Sequence, residues 1–224
     1  MDNILIGLVA PKRSGKDTAA NYLCSSYGFK KYNFADPLKK GIGEMFGLTF
    51  EQLDGKDKEV VDPFWGVTPR ELFQKIGTEL FQFELPKIID EFKDFDRTFW
   101  VKCFEKWYIN KKDEYEKTKM FWSNGAFENI LRDLPTNIFD TTKPNFRVVV
   151  SDVRFKHEAD RLREMGAVLI KIKRSTQEND YSNHSSETGT EDIKCDYTVV
   201  NDGFMIDLYE QLDGIVNNLI CRDI

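Results

Sequence analysis

The run Ile4-Leu-Ile-Gly-Leu-Val9 is continuously apolar up to Ala10-Pro11, and a turn carrying Gly15 and Lys16 separates it from a helical pattern that starts at Asp17. A short apolar run bounded by Pro fits a strand buried on both faces better than it fits a helix, and such strands belong to parallel sheets covered by helices. The chain is therefore expected to be α/β. Asp17 to Ser26 places Ala19, Ala20, Tyr22 and Leu23 on the inner side of a helix, with Gly28 as its stop. Arg147 to Val153 is a second continuous β-branched run, followed by an amphipathic helix ending at Gly166 and a strand at Val168 to Ile172, which makes a βαβ unit. Tyr197 to Val200 offers a last strand, Asn201-Asp202-Gly203 a turn, and Phe204 to Ile220 a closing helix.

The middle of the chain reads as helical. Lys31 to Phe34 is a short strand candidate, and Asp36-Pro37 opens a helix that Gly47 closes. Thr49 with Gln52, and Thr68 with Glu71, have capping-box spacing, and Pro69 occupies the favoured first helical position of the second. Leu72, Ile76 and Leu80 step by four, while Trp100, Cys103, Phe104 and Trp107 step by three and four, so both sets are expected to face a core. Residues 110–145 are rich in Lys, Glu, Asn, Thr and Pro, with a short helical piece near 127–131, and read as an insertion. Residues 174–194 are polar without periodicity, which at that length suggests a functional loop or lid.

The turn after the first strand carries the sharpest chemical signal. Ala10-Pro-Lys-Arg-Ser-Gly15-Lys16-Asp17-Thr18 resembles a Walker A loop. Holding a phosphate chain needs backbone N–H groups curled round an oxyanion, a Gly where a side chain would block the approach, a helix N-terminus aimed at the charge, and a Lys to reach the outer phosphates. Gly15 and Lys16 supply the central pair, Ser14 a hydroxyl donor, and Lys12 and Arg13 two further cations. Ala10 replaces the usual first Gly, and Asp17 stands where Ser or Thr commonly holds magnesium; Asp17 or Thr18 is then the candidate metal ligand.

Composition narrows the remaining classes. A chain of 224 residues can bury most of its apolar surface in one large domain, and 18 Phe, 8 Tyr and 4 Trp exclude disorder. The formal charge of −6 argues against a polymeric nucleic-acid partner held by bulk attraction, though not against a small phosphorylated ligand in a local basic pocket. Cys24, Cys103, Cys195 and Cys221 form no CxxC pair, so neither a zinc knuckle nor a thioredoxin-like motif is present, and at this length no disulfide framework is needed. The opening apolar run is too short for a signal peptide and follows an acid at position 2, and no stretch approaches the ~20 apolar residues that span a bilayer, so a reducing cytoplasm is the expected location and no membrane partner is expected. Asn183-His184-Ser185 then reads as a chance sequon, and His157 and His184 as ordinary hydrogen-bonding or exposed residues.

A second motif selects among phosphate-binding enzymes. Ser151-Asp152-Val153-Arg154-Phe155-Lys156-His157-Glu158 begins where a buried strand ends, and in open α/β sheets ligands bind outside the carboxyl ends of the strands. Asp152 is placed to meet magnesium or orient an acceptor, and Arg154 to hold phosphate. Glu158 follows Arg154 at i+4 spacing and could share a helix face with it, the plain alternative being a surface salt bridge. Asn110-Lys-Lys-Asp113 matches a guanine-reading string, but it lies in a charge run of the solvated-helix type and no DxxG switch motif precedes it, which makes a GTP switch the weaker alternative.

Taken together, LVAPKRSGKDTAANYL at 8–23, FADPLK at 34–39, RELFQKIGTEL at 70–80, DRTFWVK at 96–102, SDVRFKHEADRLREMGA at 151–167, HSSE at 184–187 and VVNDG at 199–203 resemble the deoxynucleoside monophosphate kinases of bacteriophages and large DNA viruses. The wider group also contains phosphomevalonate kinase, whose kind of small phosphorylated acceptor is the alternative substrate class. The resemblance implies a three-layer αβα P-loop NTPase fold with a mostly parallel central sheet, a monophosphate-binding helical part and a lid. It implies one domain over residues 1–224, with 36–108 as the acceptor-binding region, and transfer of the γ-phosphoryl group of ATP to a deoxynucleoside monophosphate with Mg2+. By motif, Lys12, Arg13, Ser14, Gly15, Lys16, Asp17 and Thr18 would bind ATP and metal. Lys39, Arg70, Gln74, Thr78 and Trp100 would line the acceptor pocket, with Asp152, Arg154 and Glu158 holding the acceptor or completing the metal shell. Lys16, Arg13, Asp152 and Arg154 would carry the catalysis. Ser186 and Glu187, in the lid, would contact nucleotide, with Arg174 approaching the phosphates. If the chain is viral, the compartment is the host cytoplasm. A homodimer is compatible with the resemblance, and Phe64, Trp65, Phe81, Phe83, Phe121 and Trp122 would suit its surface, although core packing accounts for them equally well.

Overall fold

The computed structural model describes residues 3–11, 13–95, 97–123, 145–174 and 190–221. In chain order the elements are β1 (Asn3–Val9), α1 (Lys16–Tyr27), β2 (Lys30–Tyr32), α2 (Asp36–Phe46), α3 (Phe50–Leu53), α4 (Pro69–Gln74), a π-helical stretch (Lys75–Glu84), α5 (Leu85–Ile88), α6 (Phe99–Ser123), β3 (Phe146–Val153), α7 (Lys156–Glu164), β4 (Val168–Lys173), β5 (Tyr197–Val200) and α8 (Met205–Cys221). They gather into two compact units, one built from residues 1–32 and 105–224, the other from Asn33–Phe104.

The first unit is built on a five-stranded sheet in the order β2-β3-β1-β4-β5, every pair parallel. β1 is central, which explains its unbroken apolar sequence: alternate side chains enter opposite layers. Ile4, Ile6 and Leu8 join Ala19, Ala20 and Leu23 of α1 and Leu208, Leu212, Ile215, Val216 and Leu219 of α8 in one core. Burying side chains of this size contributes about 1.5–3 kcal/mol each. On the opposite face Gly7 lies so close to Leu169 and Leu162 that an added Cβ would come within 2.6 and 3.1 Å of them. Phe146 of β3 meets Tyr108 and Tyr115 of α6 there, at ring separations of 5.1 and 5.6 Å. Helices therefore cover both faces of the sheet, giving the three αβα layers. At the far end of α1 the hydroxyls of Tyr22 and Tyr27 both donate to Asp213 of α8, at 2.6 and 2.7 Å.

The second unit is helical. Thr49 and Thr68 each cap a helix through a reciprocal box with Gln52 and Glu71, as their spacing predicted. Gly77 packs against Leu38, whose Cδ2 would lie 2.4 Å from an added Cβ, and its carbonyl accepts the Trp100 indole N–H at 3.0 Å. Phe81, Phe99 and Trp100 form an aromatic cluster.

Three sequence expectations change. Leu80 is 41% exposed rather than core-facing, in the Lys75–Glu84 stretch, which is wound as a π-helix instead of an α-helix. The buried stripe of α6 is Val101, Phe104, Tyr108 and Tyr115; of the residues expected there, only Phe104 belongs to it. Residues 110–123 are not a separate insertion: they continue α6, and Tyr115 is buried against the sheet. Residues 124–144, with the short helix expected near 127–131, lie outside the described residues. So do residues 175–189 of the expected lid, while Thr190 and Ile193 at its end are buried.

Candidate active site

The loop between β1 and α1 is wound tightly by two left-handed residues. Arg13 has φ +64° and Gly15 φ +96°, conformations that only Gly adopts freely. Gly15 caps α1, its carbonyl receiving the first intrahelical bond from Ala19 N at 3.0 Å. The N–H groups of the first helical turn have no partner within a helix and open at the end of β1. Ser14 corrects one expectation: its side chain is fully buried and its hydroxyl donates to the Pro11 carbonyl at 2.9 Å. The hydroxyl staples the loop to itself instead of facing a ligand. Lys12 lies outside the described residues.

Lys16 is half-buried, and loss of solvent pulls its ammonium below the usual lysine range; Asp17 opposes that shift, Arg154 adds to it, Asp152 opposes it and Lys31 adds to it. One ammonium thus feels two carboxylates and two other cations, which gathers Lys16, Asp17, Asp152, Arg154 and Lys31 into one electrostatic site. Nothing in the sequence marked Lys31. It projects from β2, and its Nζ donates to Asp17 Oδ1 at 2.9 Å. Thr18 follows in the first turn of α1 and is partly exposed.

Asp152 sits where β3 departs from regular pairing. Gly7 opposes Val150 but Val9 opposes Val153, so β3 carries one extra residue at the end that flanks the loop. Bulges of this kind re-aim side chains next to active sites. Arg154 follows on an exposed turn. Glu158 differs from its expected role. Arg154 precedes α7, so the two side chains do not share a helical face; the buried Glu158 carboxylate accepts the backbone N–H groups of Arg154 and Phe155 at 2.8 and 3.0 Å. It caps the helix and fixes the turn that carries Arg154. Burial pushes its pKa up to about 7, the two N–H bonds and Arg154 pulling down and Asp152 pushing up. A Glu at the third helical position was the available signal for this cap.

The expected acceptor residues belong to the helical unit. Lys39 pairs with Asp54, which also lies 3.7 Å from Lys58, and Arg70 Nε donates to Glu59 at 2.6 Å. Gln74 and Thr78 are exposed. Trp100 spends its only donor on Gly77. Asp54 and Glu59 escaped the sequence reading, because their pairing depends on how the short helices turn. Ser186 and Glu187 lie outside the described residues; Arg174 is exposed just beyond β4.

Oxygen donors suit magnesium, which keeps several waters and takes one or two carboxylates plus phosphate oxygens. Asp17 and Asp152 supply that chemistry beside Lys16, with Asp17 already engaged by Lys31. Among the described residues no three His, Cys, Asp or Glu side chains form a ready metal cluster. The NKKD string lies on α6, with Lys111 paired to Glu114 and Asp113 to Lys117, as a solvated helix face would have it.

A family model for deoxynucleotide monophosphate kinase matches residues 4–62 and 116–212. A protein of Acanthamoeba polyphaga mimivirus provisionally named deoxynucleotide monophosphate kinase is 36% identical, the match covering 96% of this chain and 97% of that protein. The deoxynucleotide monophosphate kinase of Enterobacteria phage T4 is 24% identical over 96% of this chain and 99% of its own. That of Escherichia phage RB69 is 26% identical over 95% and 99%.

Proposed function

Because the chain belongs to the deoxynucleotide monophosphate kinase family, we propose that it transfers the γ-phosphoryl group of ATP to the 5′-phosphate of a deoxynucleoside monophosphate. The observation that carries the reading is the arrangement at the ends of β1 and β3, adjacent parallel strands. The tightly wound Arg13-Ser14-Gly15-Lys16 loop stands on one, and Asp152 and Arg154 on the other.

The chemistry asks for positioning and charge neutralisation. The acceptor phosphate is already nucleophilic, so no strong general base is required, and cations around the moving phosphoryl group do most of the work. Lys16 and the backbone N–H groups at the start of α1 would hold the outer phosphates of ATP, with Arg13 and Lys12 adding charge. Arg154, fixed by the Glu158 cap, would neutralise the phosphoryl group in transit. Asp17, Thr18 and Asp152 would hold magnesium, which would supply divalent charge to offset that of the phosphates. Lys39, Arg70, Gln74, Thr78 and Trp100 would form the acceptor side; there Asp54 and Glu59 act as resident anions that an incoming phosphate replaces. Ser186, Glu187 and Arg174 would close over the nucleotide and exclude water. The chain's four thiols suit the reducing cytoplasm of a host cell, where its substrates are found.

The test is a coupled assay with ATP and magnesium across dAMP, dCMP, dGMP, dTMP and the ribonucleotides, with wild type and Lys16→Ala. Product is expected with at least one deoxynucleotide, and a loss of about a hundredfold or more in Lys16→Ala with its circular dichroism unchanged. Undiminished turnover in that variant would sink the proposal.

A further inference from the structure

Asn201 follows β5, which is separated from β1 by β4, yet its side chain reaches the phosphate-binding loop. Its backbone N–H donates to Lys173 O at the end of β4, and its Nδ2 donates to Ser14 O, both at 2.8 Å. The Ser14 carbonyl and the Gly15 N–H belong to one peptide plane. The chain has no cis peptide among its described residues, and in a trans peptide the C=O and N–H point in opposite directions. Whatever holds the carbonyl therefore aims the N–H.

We infer that Asn201 is a positioning residue for phosphoryl transfer: by holding the Ser14 carbonyl it turns the Gly15 N–H toward the phosphate chain of ATP. This rests on the kinase reading above. Gly15 gains a second reason to be glycine. Besides its left-handed φ of +96°, an added Cβ would stand 2.2 Å from Asn201 Nδ2, so a side chain at position 15 would displace the clamp as well as strain the backbone. The loop is thus held at Ser14 from both sides of the residue: its buried hydroxyl ties it to Pro11 and its carbonyl ties it to Asn201.

Two variants separate the donor from mere packing. Asn201→Ala removes the amide, and Asn201→Asp keeps its shape while replacing the donor with an acceptor that faces a carbonyl. Calorimetric titration with ATP alone, without acceptor, is expected to show affinity weakened about tenfold in the first, the worth of one well-placed hydrogen bond, and further in the second. Steady-state kinetics should show a raised KM for ATP with the KM for the deoxynucleotide unchanged. Wild-type affinity in both variants overturns the assignment, as does an equal rise in both KM values. In case a variant does not fold, the wild type carries its own test: the Gly15 amide proton should move downfield on addition of ATP, and an unmoved resonance overturns the proposal. A wild-type protein that binds ATP and turns over, with indifferent Asn201 variants, removes the clamp alone; a wild type that binds no ATP removes the kinase reading beneath it.

Discussion

Glu158 couples one buried carboxyl to the acidity of the solution. Its pKa is raised from 4.5 to about 7 by burial, so between those values the folded chain keeps a proton that the unfolded chain has lost. Stability contributed by that proton is present at low pH and declines as pH rises through the window, levelling above about 7. Glu158→Gln removes the ionisation while retaining an oxygen for the Arg154 and Phe155 N–H groups. Relative to wild type, the variant should gain stability as pH rises from 5 to 8, by up to roughly 3 kcal/mol, most of it before pH 7. Urea unfolding of both proteins at each pH unit reads this directly. A stability difference that does not vary with pH would mean that the carboxyl is not titrating there. Much at this scale was hidden in the sequence. Gly15 and Lys16 were legible because phosphate chemistry prescribes them locally. Lys31 was not, because its partner Asp17 is brought to it by a strand and a helix packing side by side.

At the scale of the element, local chemistry and tertiary context divide cleanly. The capping boxes at Thr49 and Thr68 were readable because every atom in them lies within four residues. Thr68→Ala should cost about 1 kcal/mol, seen as a lowered thermal midpoint, since it releases an N-cap without emptying any core. Leu80→Glu should change stability by less than about 0.5 kcal/mol, because that residue is already exposed. The core-facing placement that a four-residue apolar spacing suggests would give a much larger loss, so thermal unfolding of this one variant distinguishes a buried from an exposed Leu80. The buried stripe of α6 lies one position away from the one its aromatic spacing suggests: aromatic residues stand on both sides of the helix, and only tertiary packing decides which side is inward. The extra residue in β3 was equally invisible, since register is a property of two strands and not of either alone.

For the molecule as a whole, average and local charge point in opposite directions. The net charge is −6, but Lys16, Lys31 and Arg154 act on one site. ATP should therefore bind more weakly as salt screens those cations, by several-fold between about 50 and 300 mM KCl, despite the chain's overall acidity. Titration calorimetry at the two concentrations checks the sign; affinity that rises with salt would show that the acidic surface dominates.

The order of the strands also sets a timetable for the chain as it is made. β1 leaves the ribosome well before its sheet neighbours β3 and β4, the first of which begins only at Phe146. At ordinary synthesis rates that wait is on the order of 10 s, during which Ile4-Leu-Ile-Gly-Leu-Val9 has no strand to pair with. The helical unit, by contrast, is one continuous stretch from Asn33 to Phe104, and all its internal partners exist once Phe104 has emerged. The segment that builds the phosphate site is thus also the one that spends longest as an unpaired, aggregation-prone strand in the nascent chain.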